Sequence, residues 1–174
     1  MAQERLDAWL DSPVVRTHHR HGAAMDPEAL WERATEVRLR DTGSIGRLVR
    51  WRIPGLPPEL TYHDLFRHYP FVVLEEDERL LMSGLCGRIW TLARDYPRLS
   101  DADEFRAWRE PGTVRVAFAH WVEPGADGTS ELVSEARVQP VDRSAALRMR
   151  ALWAVIGGFE RLVGGEALAV AARR

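Results

Sequence analysis

The sequence predicts an α+β fold in which a curved antiparallel sheet wraps around one long C-terminal helix, with two short helices after the first strand. Three observations carry that prediction. Short apolar segments of strand character run from Phe71 to Pro140, and the last two of them are joined by a turn-rich loop. An apolar stripe of helical period then begins at Leu147. An antiparallel sheet has one face to bury, and this final helix is the only predicted element large enough to cover it.

Taken in order, residues 2–10 suit a short amphipathic helix through Leu6, Trp9 and Leu10, which Asp11-Ser12-Pro13 breaks. Residues 1–12 are therefore set apart as an N-terminal extension, and residues 13–174 form the domain. Val14 to Ala24 reads as the first strand. Asp26-Pro27-Glu28 is a helix start: aspartate caps, proline suits the first turn, and glutamate favours the positive end of the dipole. That helix is expected to end near Arg40-Asp41. A second begins at Ser44 as cap and is stopped by Pro54-Gly55. Thr61 to Arg67 allows one further helical turn.

Phe71 to Leu74 is a short strand, with Glu75 to Glu78 as its turn. The next strand runs from Leu80 toward Trp90 through Gly84 and Gly87, whose spacing suggests bulges or close backbone approach. Ser100 is a cap for a brief helix over 101–108. Thr113 to Glu123 and Ser130 to Pro140 form a hairpin across Pro-Gly-Ala-Asp-Gly-Thr. Asp142 caps the long helix toward Arg173, expected to bend near Gly157-Gly158.

Composition narrows the function classes. The 174 residues amount to one domain. A net charge of −2 gives no electrostatic case for nucleic acid or an anionic membrane. No apolar run reaches the length of a membrane span, and the first residues lack the apolar segment of a secretory signal, so a cytoplasmic protein without integral membrane association is expected. Every basic residue is arginine, which removes Schiff-base chemistry through a lysine amine. Cys86 has no partner for an internal disulfide. His18, His19 and His21 invite a metal reading, but His18 points to the opposite strand face from the other two. Neither a metal nor a cofactor is expected. No Gly-rich phosphate loop or nucleophile elbow occurs.

The hairpin allows a register argument. With Ala119 opposite Glu135, one face carries Val114, Val116, Phe118, His120 and Val122 with Leu132, Ser134, Ala136 and Val138. That face is nearly all apolar, so burial assigns it to the inside and makes His120 and Ser134 cross-strand neighbours on a cavity wall. Glu131, Glu135 and Arg137 then fall on the other face, as a solvated charge lattice or, alternatively, a ligand clamp. His120 is the candidate catalytic residue, as a proton-transfer group, against the simpler reading of a hydrogen-bonded wall residue. No acid on the same face orients it for nucleophilic chemistry with Ser134.

The strings Asp26 to Trp31, Gly84 to Trp90, Glu110-Pro111-Gly112, Ser134 to Val138 and Leu152 to Ile156 resemble the SRPBCC superfamily (START-like, polyketide cyclase/lipid transport). The resemblance spans roughly residues 14–172 and implies a helix-grip domain with a ligand cavity between sheet and final helix. The expected function is binding of an apolar or aromatic small molecule by Trp90, Phe118, His120, Ser134, Trp153 and Phe159. A cyclase or aromatase using the same cavity is one alternative; a partner-binding protein with a filled interior is another. The expected partner is the apolar small molecule, with a homodimer as a further option.

Overall fold

The computed structural model describes residues 2–91, 96–163 and 165–173, the side chains of residues 45, 52 and 155–163 aside. Helix α1 (Ala2–Trp9) precedes strand β1 (Val15–Ala23), and helices α2 (Pro27–Thr35), α3 (Ser44–Arg52) and α4 (Tyr62–Leu65) follow. Strands β2 (Val72–Asp77) and β3 (Leu80–Gly87), helix α5 (Ala102–Ala107), strands β4 (Val114–Pro124) and β5 (Ser130–Pro140), and helices α6 (Arg143–Val163) and α7 (Glu166–Arg173) complete the chain. The five strands form one antiparallel sheet in the order β1-β5-β4-β3-β2. Among the described residues, no helix is long and apolar enough to cross a membrane.

The α+β class is observed, but the helix-grip architecture is not. The single long C-terminal helix is two helices of 21 and 8 residues, interrupted between Val163 and Glu166. The helix is unbroken at Gly157-Gly158, so the interruption falls seven residues later than the expected bend. No one helix covers the inner face of the sheet. Ala145 and Met149 of α6 bury one end of strands β1, β5 and β4, against Val15, Val116 and Val138. Leu30 of α2 and Leu168 and Ala171 of α7 bury the other end against Val122 and Leu132.

Several local signals behave as their chemistry requires. Asp26 caps α2 by accepting from the Glu28 and Ala29 amides at 3.1 and 2.9 Å, with Pro27 in the first turn. Asp142 caps α6 from the Ala145 amide at 2.8 Å and also accepts from Gly112 at 2.6 Å, which ties the helix start to the start of β4. These bonds hold its carboxyl down at a pKa of about 2. Helix α3 differs: Ser44 lies inside it, and the carboxylate of Glu166 from α7 accepts from the Gly43 and Ser44 amides at 2.5 and 3.1 Å. Strand β2 also runs on through Glu75-Glu76-Asp77, which were expected to turn. It is an edge strand, where charged side chains are tolerated and discourage further pairing. Gly84 marks a close approach, since a Cβ there would meet the Phe105 ring of α5 at 2.6 Å.

The sheet is covered on both faces. On its outer face, Leu6, Trp9 and Leu10 of α1 and its exit pack with Phe105 against Met82, Ala119, Trp121 and Val133. Trp9 Nε1 donates to Glu75 at 2.6 Å, and Arg5 donates to the same carboxylate at 2.6 Å. Helix α1 and Leu10 thus pack directly on the sheet.

This cover changes the reading of Glu135 and Arg137. Both are 1% exposed, so they form no solvated lattice. Arg137 Nε donates to Glu135 at 2.5 Å, and its guanidinium also bonds Asp7 and the Gln3 carbonyl on α1. His18 Nδ1 lies 3.1 Å from the other Glu135 oxygen. Asp7, more than half exposed, connects the cluster to solvent. Removing Arg137 leaves the buried Glu135 carboxylate with only the half-exposed Arg16 at 3.7 Å and His18 beside it, so Arg137→Met should cost on the order of 3 kcal/mol. The double change Glu135→Leu/Arg137→Met should cost less than that single one, which urea unfolding of the three proteins will check.

Candidate functional site

The inner face of β1, β5, β4 and β3 floors a cavity of about 410 Å³. Ala119 does stand opposite Glu135, so the side chains alternate as the register argument requires. Phe118, His120, Ser134, Ala136 and Val138 therefore face the cavity. Helices α2, α4, α6 and α7 supply the opposite walls, where Ala34, Ala167 and Ala171 leave room that larger side chains would fill. Leu48 of α3, 41% exposed, stands at the rim.

One row of the floor is polar. His19, Ser134 and His120 are direct cross-strand neighbours on β1, β5 and β4, continued by Leu81 on β3. The rows on either side hold Thr17, Ala136 and Phe118, and then Leu132. Phe66, immediately after α4, stacks at 4.6 Å from His120 and 5.2 Å from Phe118, and Phe71 joins the same aromatic cluster. His63 of α4 also lines the cavity and meets Trp31 of α2 edge-on at 5.8 Å.

His120 is the electrostatic centre of this arrangement. Burial, reinforced by His63 nearby, pushes its imidazole pKa down to about 4, so it is neutral at physiological pH. Its Nε2 is enclosed and finds no hydrogen-bond partner among the described residues. Burial likewise lowers His63, with Arg67 adding to the effect and Asp64 opposing it. Tyr62 is pushed up to about 12 by burial, while its hydroxyl lies 3.2 Å from Thr42 Oγ1.

Of the residues singled out in the sequence, Phe118, His120, Ser134 and Trp153 line the cavity together. Trp90 does not: it packs at the edge of the cluster around Val15 and Met149, beside the Arg148 guanidinium, and its neighbour Ile89 reaches the cavity instead. The side chain of Phe159 lies outside the described residues. Sequence reasoning missed Trp31, Tyr62, His63 and Phe66. The i, i+4 spacing of Tyr62 and Phe66 was the available signal for an inward face on α4. The strand histidines are split, with His18 against Glu135 on the outer face and His19 on the cavity floor. Among the described residues no group of three potential ligands could hold a metal ion.

The chain matches no protein-family model and no curated protein. Among solved structures, the crystal structure of hypothetical protein jhp0584 from Helicobacter pylori aligns over 96% of this chain and 92% of its own. Identity is 9% and the TM-score is 0.39.

The neutral histidine makes stability depend on pH. A group whose folded pKa lies below its unfolded value is protonated first in the unfolded chain, so the His120 component of stability is lost as pH drops from about 6.5 to about 4, and falls no further below that. The full loss is on the order of 3 kcal/mol. His120→Leu should remove this component, leaving a shallower decline in urea-unfolding free energy over that window, with His63 contributing the same sign in both proteins.

Proposed function

We propose that this protein binds an apolar or aromatic small molecule in the cavity between the inner sheet face and helices α2, α4, α6 and α7. The observation that carries the proposal is the cavity itself: about 410 Å³ of space, walled by apolar side chains with a few convergent polar groups. A single Leu→Ala vacancy is of the order of a methylene cluster and is costly to leave empty. Space several times larger, lined by Phe, Trp, Leu and Val, speaks for an occupant rather than for imperfect packing.

Binding without proton transfer is favoured over an enzymatic reading. A general acid or base works best with its pKa near the operating pH, and His120 is held far below it. No aspartate or glutamate is among the described residues lining the cavity to raise that value. A partner-binding protein with a filled interior is disfavoured by the same open space.

Ala136 stands at the centre of the floor, between Thr17 and Phe118. Ala136→Phe should fill the cavity and lower affinity for an apolar fluorescent probe at least about tenfold. The melting temperature should stay close to wild type, since the added ring enters existing space. Unchanged probe affinity in a folded Ala136→Phe protein would place the binding elsewhere.

A further inference from the structure

We propose that the ligand is uncharged and carries a hydroxyl or carbonyl group on an aromatic body, and that this group bonds His120 within the row His19, Ser134 and His120. The inference rests on the cavity being a small-molecule site and goes on to name the class of molecule.

Charge is the first discriminator. Among the described residues lining the cavity there is no arginine, aspartate or glutamate, although the chain has 24 basic and 26 acidic residues. A carboxylate or phosphate ligand would have to shed its hydration without gaining a counter-charge, and so would an ammonium. The only groups that could become cationic are the histidines, and protonating His120 means charging an imidazole enclosed by Phe66, Phe118 and Leu81. The cavity thus penalises either sign of charge.

Hydrogen bonding is the second. Most of the wall is apolar, yet His19, Ser134 and His120 occupy adjacent strands at one level, spanning about 10 Å at the usual strand spacing. At the His120 end, Nε2 is buried without a partner. Leaving such an atom unsatisfied costs about 1–3 kcal/mol, and a ligand group that meets it recovers that loss. Histidine χ2 is a soft, broad torsion, so the ring can turn to present the nitrogen to the cavity it lines. A neutral imidazole has one donor and one acceptor nitrogen, and Ser134 adds a hydroxyl that does both. A hydroxyl or a carbonyl suits these partners equally, whereas a pure hydrocarbon leaves His120 Nε2 unpaired.

Ring chemistry is the third. Phe66 and Phe118 stand beside His120, and Trp31 and Trp153 form further flat surfaces around the same space. Edge-to-face and offset contacts with such walls favour an aromatic body over a flexible chain.

Three probes of one ring system separate these claims: naphthalene, 2-naphthol and 2-naphthoate, titrated at neutral pH into the full chain by calorimetry or tryptophan fluorescence. The expected result is that 2-naphthol binds about tenfold more tightly than naphthalene and that 2-naphthoate binds most weakly. In His120→Leu the ratio of naphthol to naphthalene affinity should fall toward one, and Ser134→Ala, a smaller change, should lower it about threefold. Equal binding of naphthalene and 2-naphthol, or tightest binding by 2-naphthoate, would overturn this inference while leaving the cavity as an apolar site. Binding by none of the three would overturn the small-molecule reading itself.

Discussion

One register, Ala119 opposite Glu135, commits the side chains of both central strands. Because strand side chains alternate, this pairing sends His120, Ser134, Phe118 and Ala136 to one face and Glu135, Arg137, Trp121 and Val133 to the other. A slip of one residue would exchange the two sets. Charged groups would then enter the apolar cavity, and the floor of that cavity would lie against α1. The strong asymmetry of the two faces makes the register unambiguous. Strand β1 follows suit, with His18 joining Glu135 and His19 joining Ser134.

The outer face solves a harder problem than the inner one. Strand β5 places a carboxylate and a guanidinium two residues apart where α1 shuts out water, and neither ion is stable there alone. The pair bonds at 2.5 Å, and Asp7 and the Gln3 carbonyl on α1 each accept from one of the two terminal guanidinium nitrogens. Helix α1 therefore does two things at once: its apolar side seals the face, and its polar side completes the ion cluster. Trp9 shows the same division in one residue, burying its ring against Phe105 while its indole N–H reaches Glu75.

Much of this was legible before any coordinates. The element order, the Asp26 and Asp142 caps and the hairpin register follow from local chemistry: capping residues, turn composition and period-2 alternation. What failed was long-range. A glutamate and an arginine on a strand look solvated until something covers them, and the cover came from α1 and Leu10 at the far end of the chain. The apolar stripe from Leu147 onward promised one helix, yet the chain interrupts it between Val163 and Glu166. Trp90 was drawn into the site by its size, although it lies in the turn beyond β3, where its neighbour Ile89 reaches the cavity instead. His63 and Phe66 were overlooked because four helical residues leave a weak periodic signal. The resemblance to a helix-grip family reinforced the same error, since its strings are local and say little about which helix covers which strand.

The interruption has a structural use. Because α7 begins afresh at Glu166, that side chain is free to cap the N-terminus of α3, where its negative charge meets the positive end of the helix and two unpaired amides. The bond links the C-terminal segment, whose Leu168 and Ala171 wall the cavity, to the helix whose Leu48 stands at the rim. The cavity walls are thus held by polar ties placed outside the cavity, Glu166 on α3 and Asp142 on the start of β4, while Glu75 fastens α1 to the opposite face. Keeping the charged fastenings on the exterior and outer face lets the interior stay neutral. In such an interior the unsatisfied His120 Nε2 is a specific feature, shared among the described residues with the Ser83 hydroxyl opposite Phe118.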